Sequence, residues 1–162
     1  VRGLSLAQRD LAAFYPGDSY VDWVAMTGFN WGPSDPRLGW LDVSAVVDET
    51  YGLLERFPKP IMIAEIGTVT HGGDAPAWVT DTMSSLAAGR YPRIAAVVWF
   101  DRFYRANQDF RLRGPTLAAL RAAVQATDHW RAPVLSAPGR GSDGIEPPVV
   151  AADVHDAVPD GG

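Results

Sequence analysis

Three short apolar runs are separated by stretches whose apolar positions recur at helical spacing. The first, Tyr20 to Phe29, is rich in aromatic and β-branched residues and predicts a strand. The second, Ile61 to Ile66, lies between Pro60 and Gly67, and the third is Ile94 to Phe100. Runs of this length suit buried strands better than helices. Between them, Val43, Val46, Val47, Leu53, Leu54 and Phe57 form a helical stripe behind Asp42, a good N-cap, and Pro58 ends it. A second helix is predicted behind Asp74, carrying Trp78, Met83, Leu86 and Ala87, with Gly89 as its stop. Pro115 opens a last helix with Leu117, Leu120 and Val124. Leu4 to Phe14 reads as a short helix closed by the turn Tyr15-Pro16-Gly17-Asp18. Asn30 to Gly39 and Thr68 to Gly73 read as loops.

Strand and helix thus alternate, and the strands are apolar on both faces. That pattern predicts an α/β fold of parallel βα units, with helices covering the sheet. The strand spacing of roughly 35 residues suits such units. Asn30, Glu65 and Asp101 fall at the same end of successive strands, on the rim where parallel sheets bind ligands. From Arg131 the periodicity is lost and Pro, Gly, Asp, Ser and Ala dominate. The expected organisation is an ordered domain over 1–130 and a disordered tail over 131–162.

The bulk numbers narrow the chemistry. With 14 basic and 19 acidic side chains in 162 residues the formal charge is -5, which argues against a nucleic-acid or anionic-membrane surface. There is no cysteine, so disulfides, thiol catalysis and Cys-based metal sites are excluded. The histidines, His71, His129 and His155, lie far apart, and no metal or other cofactor is expected. No apolar run approaches the ~20 residues of a membrane-spanning helix. The opening Val1-Arg2-Gly3 has neither an apolar leader nor an initiator Met. The expectation is a processed start or a piece of a longer chain, and localisation is left open.

Glu65 is the leading candidate for chemistry. An unpaired charge at the end of a buried strand costs several kcal/mol or shifts its pKa, so it needs a partner or a task. The bland alternative is an ion pair with a nearby Arg or Lys.

Four segments in order, Tyr15 to Val24, Gly28-Phe29-Asn30-Trp31-Gly32, Lys59 to Gly67 and Ala96 to Asp101, resemble the C-terminal part of glycoside hydrolase family 26, the β-mannanase-like enzymes. The resemblance covers about Phe14 to Val124. It implies the sixth to eighth strands of a (β/α)8 TIM barrel, and retaining hydrolysis of β-linked glycans by two carboxyl groups. By motif match Glu65 is the nucleophile. The family's acid/base belongs to a His-Glu-x-Asn-like motif that this sequence lacks. Retention needs two carboxyls about 5–5.5 Å apart, and a closed barrel needs at least ~200 residues. This chain alone is therefore expected to be inactive, with the acid/base in a missing N-terminal part. The family usually has Tyr at the position of Phe29, whose hydroxyl orients the nucleophile.

The resemblance makes Trp99 a sugar-stacking platform, against the plainer reading of a core tryptophan. Trp31 and Phe29 could line the same cleft, and Asn30 and Asp101 could contact sugar hydroxyls. Trp23 and Trp78 are expected in helix–sheet packing, and His71 in a solvated loop. The partner implied is a β-glycan polysaccharide or oligosaccharide, together with the missing barrel half or another chain. Two alternatives stand beside this: a non-catalytic glycan-binding or degenerate barrel fragment, and an unrelated small α/β fold.

Overall fold

The computed structural model of the chain describes residues 11–130 and 149–151. Its strands and helices are β1 (Val24–Asn30), α1 (Val43–Leu54), β2 (Ile61–Thr68), α2 (Ala75–Ala87), β3 (Ile94–Trp99), β4 (Phe103–Arg105), β5 (Gln108–Asp109), α3 (Gly114–Gln125) and β6 (Val149–Ala151). The main sheet has the order β1-β2-β3-β6 and every pairing in it is parallel. β4 and β5 form a separate antiparallel hairpin.

Local sequence accounts for the element ends. Asp42 accepts a hydrogen bond from the Ala45 amide (2.8 Å) and Asp74 from the Ala77 amide (2.9 Å), so each caps the helix that follows it. Gly89 stops α2 with φ +75°, a conformation that a Cβ disfavours. β1 begins at Val24, not at Tyr20. Asp18–Tyr20 instead forms a single 3-10 turn, with the Tyr15 hydroxyl donating to Asp18 (2.7 Å), and Tyr20 is exposed. Aromatic content alone overextended that strand. Of the helix expected over Leu4 to Phe14, Leu11–Phe14 is a 3-10 turn and the rest lies outside the described residues.

The strands β1, β2 and β3 are added side by side in chain order. Right-handed crossovers in that sequence put every connecting helix on one side of the sheet. Burial agrees: Val24, Met26, Ile61, Ile63, Ile66, Val97 and Trp99 share one core with Val43, Val47, Trp78, Val79, Met83 and Leu120 from the helices. Among the described residues the opposite face has no such cover. Ala25 and Thr27 are exposed there, and Met62, Ala64 and Val98 are half-buried. Trp78 packs in the core as expected, and its Nε1 donates to the Leu41 carbonyl (2.9 Å). Trp23 does not; at 41% exposure it lies on the surface beside Asp22.

The tail over 131–162 falls outside the described residues except at 149–151, which pair with β3 through Ala96, Val97 and Val98. A three-residue strand in a segment rich in Pro and Gly carries too little periodicity to be read from sequence.

Candidate active site

A break in strand alternation decides where Glu65 points. Side chains of a regular strand alternate between faces, so Glu65 would lie on the helix-covered face with Ile61 and Ile63. Instead the register shifts on both sides of β2. Met26 pairs with Ile63 but Thr27 pairs with Glu65, and towards β3 the pairing jumps from Ile63–Val97 to Ile66–Trp99. The extra residue is a β-bulge at Ala64–Glu65. Beyond it Ile66 resumes the buried face, fully enclosed, while Ala64 and Glu65 both turn to the uncovered face and are half-buried. Bulges re-aim side chains next to active sites in this way.

Glu65 takes part in none of the ion pairs among the described residues, which join Arg37 to Asp35, Arg90 to Asp48 and Arg111 to Asp109. Its carboxylate also has no hydrogen-bond partner among them. The plain alternative of a structural ion pair thus finds no partner among the described residues. A carboxylate with no partner contributes little to folding. Glu65→Gln should change unfolding stability by no more than about 0.5 kcal/mol in urea titration, and a larger loss would reveal a structural role.

Further along the same face stands an aromatic cluster. Phe29 pairs across the sheet with Gly67. The Phe29 ring lies 5.3 Å from Trp31, 5.2 Å from Phe100 and 5.4 Å from Phe110. Trp31 and Phe110 meet edge to face at 5.1 Å. A Cβ on Gly67 would come within 3.3 Å of both Phe110 and the Phe100 carbonyl, so the glycine makes room for these rings over β2. Phe110 is buried, while Phe29, Trp31 and Phe100 keep part of their surface exposed. The place of Phe29 is apolar on three sides.

The remaining candidates separate. Trp99 faces the opposite way: 3% exposed, it packs edge to face on Trp78 of α2 with ring centroids 6.1 Å apart. The alternation from fully buried Val97 carries it there. That placement corrects the stacking-platform expectation and agrees with the core reading. Asn30 is 0% exposed and its polar atoms are occupied. Its Nδ2 donates to Thr68 Oγ1 (3.0 Å), and its Oδ1 accepts from the amides of Gly32 (3.2 Å) and Leu41 (3.0 Å). It therefore ties the loop after β1 to β2 and is enclosed away from a sugar. Asp101 is exposed on the rim, and its Oδ1 accepts from the Leu112 amide (2.8 Å). His71 is half-buried in the loop after β2.

So the structure brings Glu65, Phe29 and Trp31 onto one face, leaves Asp101 on the rim, and removes Trp99 and Asn30 from reach of a ligand. Phe100 and Phe110 join the cluster unforeseen. Phe100 had a readable signal, since the neighbour of a core-facing Trp99 must turn to the other face.

The hairpin β4–β5 folds over this end of the sheet. Asn107 makes its turn at φ +64°, the Thr70 amide donates to the Asp109 carbonyl (3.0 Å), and Ser34 Oγ contacts the Asn107 carbonyl. The bidentate hydrogen bond from Arg111 holds the Asp109 carboxyl below the usual carboxylate range. Among the described residues no group of three or more His, Asp or Glu is placed to hold a metal. No helix among them is long and apolar enough to cross a membrane.

A β-strand carboxylate with aromatic rings beside it on one face of a parallel sheet defines the class as an α/β protein with a candidate ligand-binding face. The sequence comparison bears on that class. Over 113 residues the chain is 33% identical to Endoglucanase H of Acetivibrio thermocellus. The match takes in 69% of this chain and 12% of that protein, so the chain spans a small part of its relative's length. The chain thus resembles one region of an endoglucanase and has an α/β fold. No protein-family model matches it.

Proposed function

We propose that this chain forms part of a retaining β-glycan hydrolase of the β-mannanase-like type, with Glu65 as its nucleophile. The observation that carries the reading is the bulge at Ala64–Glu65, which delivers a carboxylate without a partner among the described residues to the open face that also bears Phe29, Trp31 and Phe100. Aromatic rings pack against the C–H faces of pyranoses and orient them.

In this mechanism a Glu65 oxygen attacks the anomeric carbon while the glycosidic oxygen leaves, protonated by a second carboxyl group. Water then replaces Glu65 at the same carbon, giving up a proton to that second group. Glu65 supplies the first role only. The acid/base is assigned to a segment outside this chain. The barrel reading is supported by the winding of the sheet. One-directional addition of parallel strands leaves one face bare, and a closed barrel turns that face inward. Bare faces and unpaired edges otherwise invite association, so a complementary barrel half is the expected partner. Phe29 brings no hydroxyl to Glu65, so the carboxylate's orientation falls to its bulged backbone.

The test measures release of reducing sugar from mannan, mixed-linkage β-glucan and xylan, comparing the wild type with Glu65→Ala, alongside affinity electrophoresis in the same glycans. Both proteins are expected to be retarded, and Trp31→Ala to lose retardation. Turnover is expected only when a complementary N-terminal barrel segment is added, and only with Glu65 intact. Equal background from both proteins under every condition would exclude catalysis. Retardation persisting without turnover would then favour a second reading, a non-catalytic glycan-binding fragment, which the lack of a His-Glu-x-Asn motif in this sequence supports.

A further inference from the structure

The hairpin β4–β5 departs from the charge balance of the rest of the chain. Between Asp101 and Arg113 stand four arginines and two aspartates, in a chain with 14 basic and 19 acidic side chains. Both aspartates are engaged. Asp109 receives Arg111 in a bidentate pair (2.8 and 2.7 Å), and Asp101 accepts from the Leu112 amide (2.8 Å). Arg102 and Arg105 have no acidic partner among the described residues. Arg105 is nevertheless held in place, because its Nε donates to the neutral Gln108 Oε1 (2.7 Å). Its charge is fixed in position without being cancelled.

Two exposed rings lie among these cations. Phe103 is 51% and Tyr104 59% exposed. Arg111 stacks over Phe103 at 5.2 Å and Arg105 over Tyr104 at 5.3 Å. Each stacked guanidinium is tied to a hairpin neighbour, so the rings are backed by cations that are already ordered. The hairpin also continues directly into the cluster beside Glu65. The Phe110 amide donates to the Arg102 carbonyl (3.0 Å), and the Phe110 ring meets Phe29, Trp31 and Phe100.

We infer that this hairpin is a binding site for acidic β-glycan, reading a uronate-bearing residue of the chain beyond the cleft. One of the exposed rings, Phe103 or Tyr104, takes the apolar face of a pyranose, and the guanidiniums of Arg102 and Arg105 supply the charge for the uronate carboxylate. A neutral glycan would use the rings and leave both guanidiniums without a partner. A nucleic acid also stacks and pairs with arginine, but a long polyphosphate would meet the acidic excess of the remaining surface. The inference rests on the glycan reading above and refines its substrate class.

The experiment is affinity electrophoresis of the full chain in three gels: neutral mixed-linkage glucan, glucuronoxylan, and a single-stranded oligonucleotide fixed in the matrix. Retardation should be strongest in glucuronoxylan and should weaken as salt rises from roughly 0.05 to 0.3 M, because exposed charges are screened. The double variant Arg102→Ala/Arg105→Ala should bind glucuronoxylan about tenfold more weakly and neutral glucan as before. Phe103→Ala or Tyr104→Ala should weaken binding to glucuronoxylan as well. Equal retardation of the wild type in the two glycans, insensitivity to salt, or no effect of the double variant would overturn the inference while leaving the glycan reading intact. Stronger retention by the oligonucleotide would reduce the hairpin to an ion exchanger and overturn it too. No retardation in either glycan would remove both readings.

Discussion

Trp99→Ala should destabilise the protein by about 3–5 kcal/mol, the cost of emptying a large aromatic site in a core. Trp99 is 3% exposed, pairs in the sheet with fully buried Ile66, and meets Trp78 edge to face. Its removal opens a hole between β2, β3 and α2 that neighbours can fill only in part. Domains of this size have about 5–15 kcal/mol to lose, so the variant should unfold at a much lower urea concentration with little change in slope. Trp99→Phe, which keeps a ring against Trp78, should lose less. A sugar platform behaves in the opposite way, since truncating an exposed ring removes ligand affinity at little cost to folding. If Trp99→Ala kept the wild-type urea midpoint and lost glycan retardation, the core assignment would be wrong.

The contrast between Trp99 and Phe100 shows what sequence can and cannot convey. Both stand at the end of the same apolar run, and either could stack on a sugar. Only the register tells which of two adjacent aromatics turns outward. β3 alternates from Val97, so Trp99 goes inward and Phe100 outward. Glu65 presents the same difficulty in reverse. Simple alternation would have buried it with Ile61 and Ile63, and a one-residue bulge sends it to the open face. Nothing in Ile-Ala-Glu-Ile announces that bulge, because it is a property of pairing with two neighbouring strands. The starts of β2, α1 and α2, and the stop of α2, were readable for a local reason, while β2 runs on to Thr68 and α1 ends at Leu54, before Pro58. Pro60, Asp42, Asp74 and Gly89 act on their own backbone, whatever lies across the sheet.

The hairpin β4–β5 leaves little trace in the pattern of the sequence. Its strands are too short for periodicity to reveal, and its order comes from side chains gripping one another, Arg111 on Asp109 and Arg105 on Gln108. Asp101, placed on the rim by sequence, does lie there, but its first task is to hold the Leu112 amide at the approach to α3. A residue type points to a region of the fold. Its remaining hydrogen-bonding capacity, which decides whether it can serve a ligand, is visible only when its neighbours are in place.

Asn30→Ala should cost about 3 kcal/mol, since it leaves two amide donors without an acceptor at roughly 1–3 kcal/mol for each that stays buried. Oδ1 of Asn30 takes the amides of Gly32 and Leu41, which lie at opposite ends of the loop joining β1 to α1. One side-chain oxygen therefore closes that loop, while Nδ2 fastens it to Thr68 on β2. Thr68→Val removes only the last of these bonds and should cost about 1 kcal/mol. The two variants should differ in kind as well as in size. In Asn30→Ala the amides of Gly32 and Leu41 should exchange with deuterium far faster than in the wild type, and in Thr68→Val they should stay protected. Trp31 is the first residue of the released loop, so Asn30→Ala should also weaken glycan retardation without Asn30 touching sugar. Addition of Trp31→Ala should then weaken retardation little further, because both changes act through the same ring. Unchanged protection at Gly32 and Leu41, or fully additive losses of retardation, would return Asn30 to the role of a direct sugar ligand.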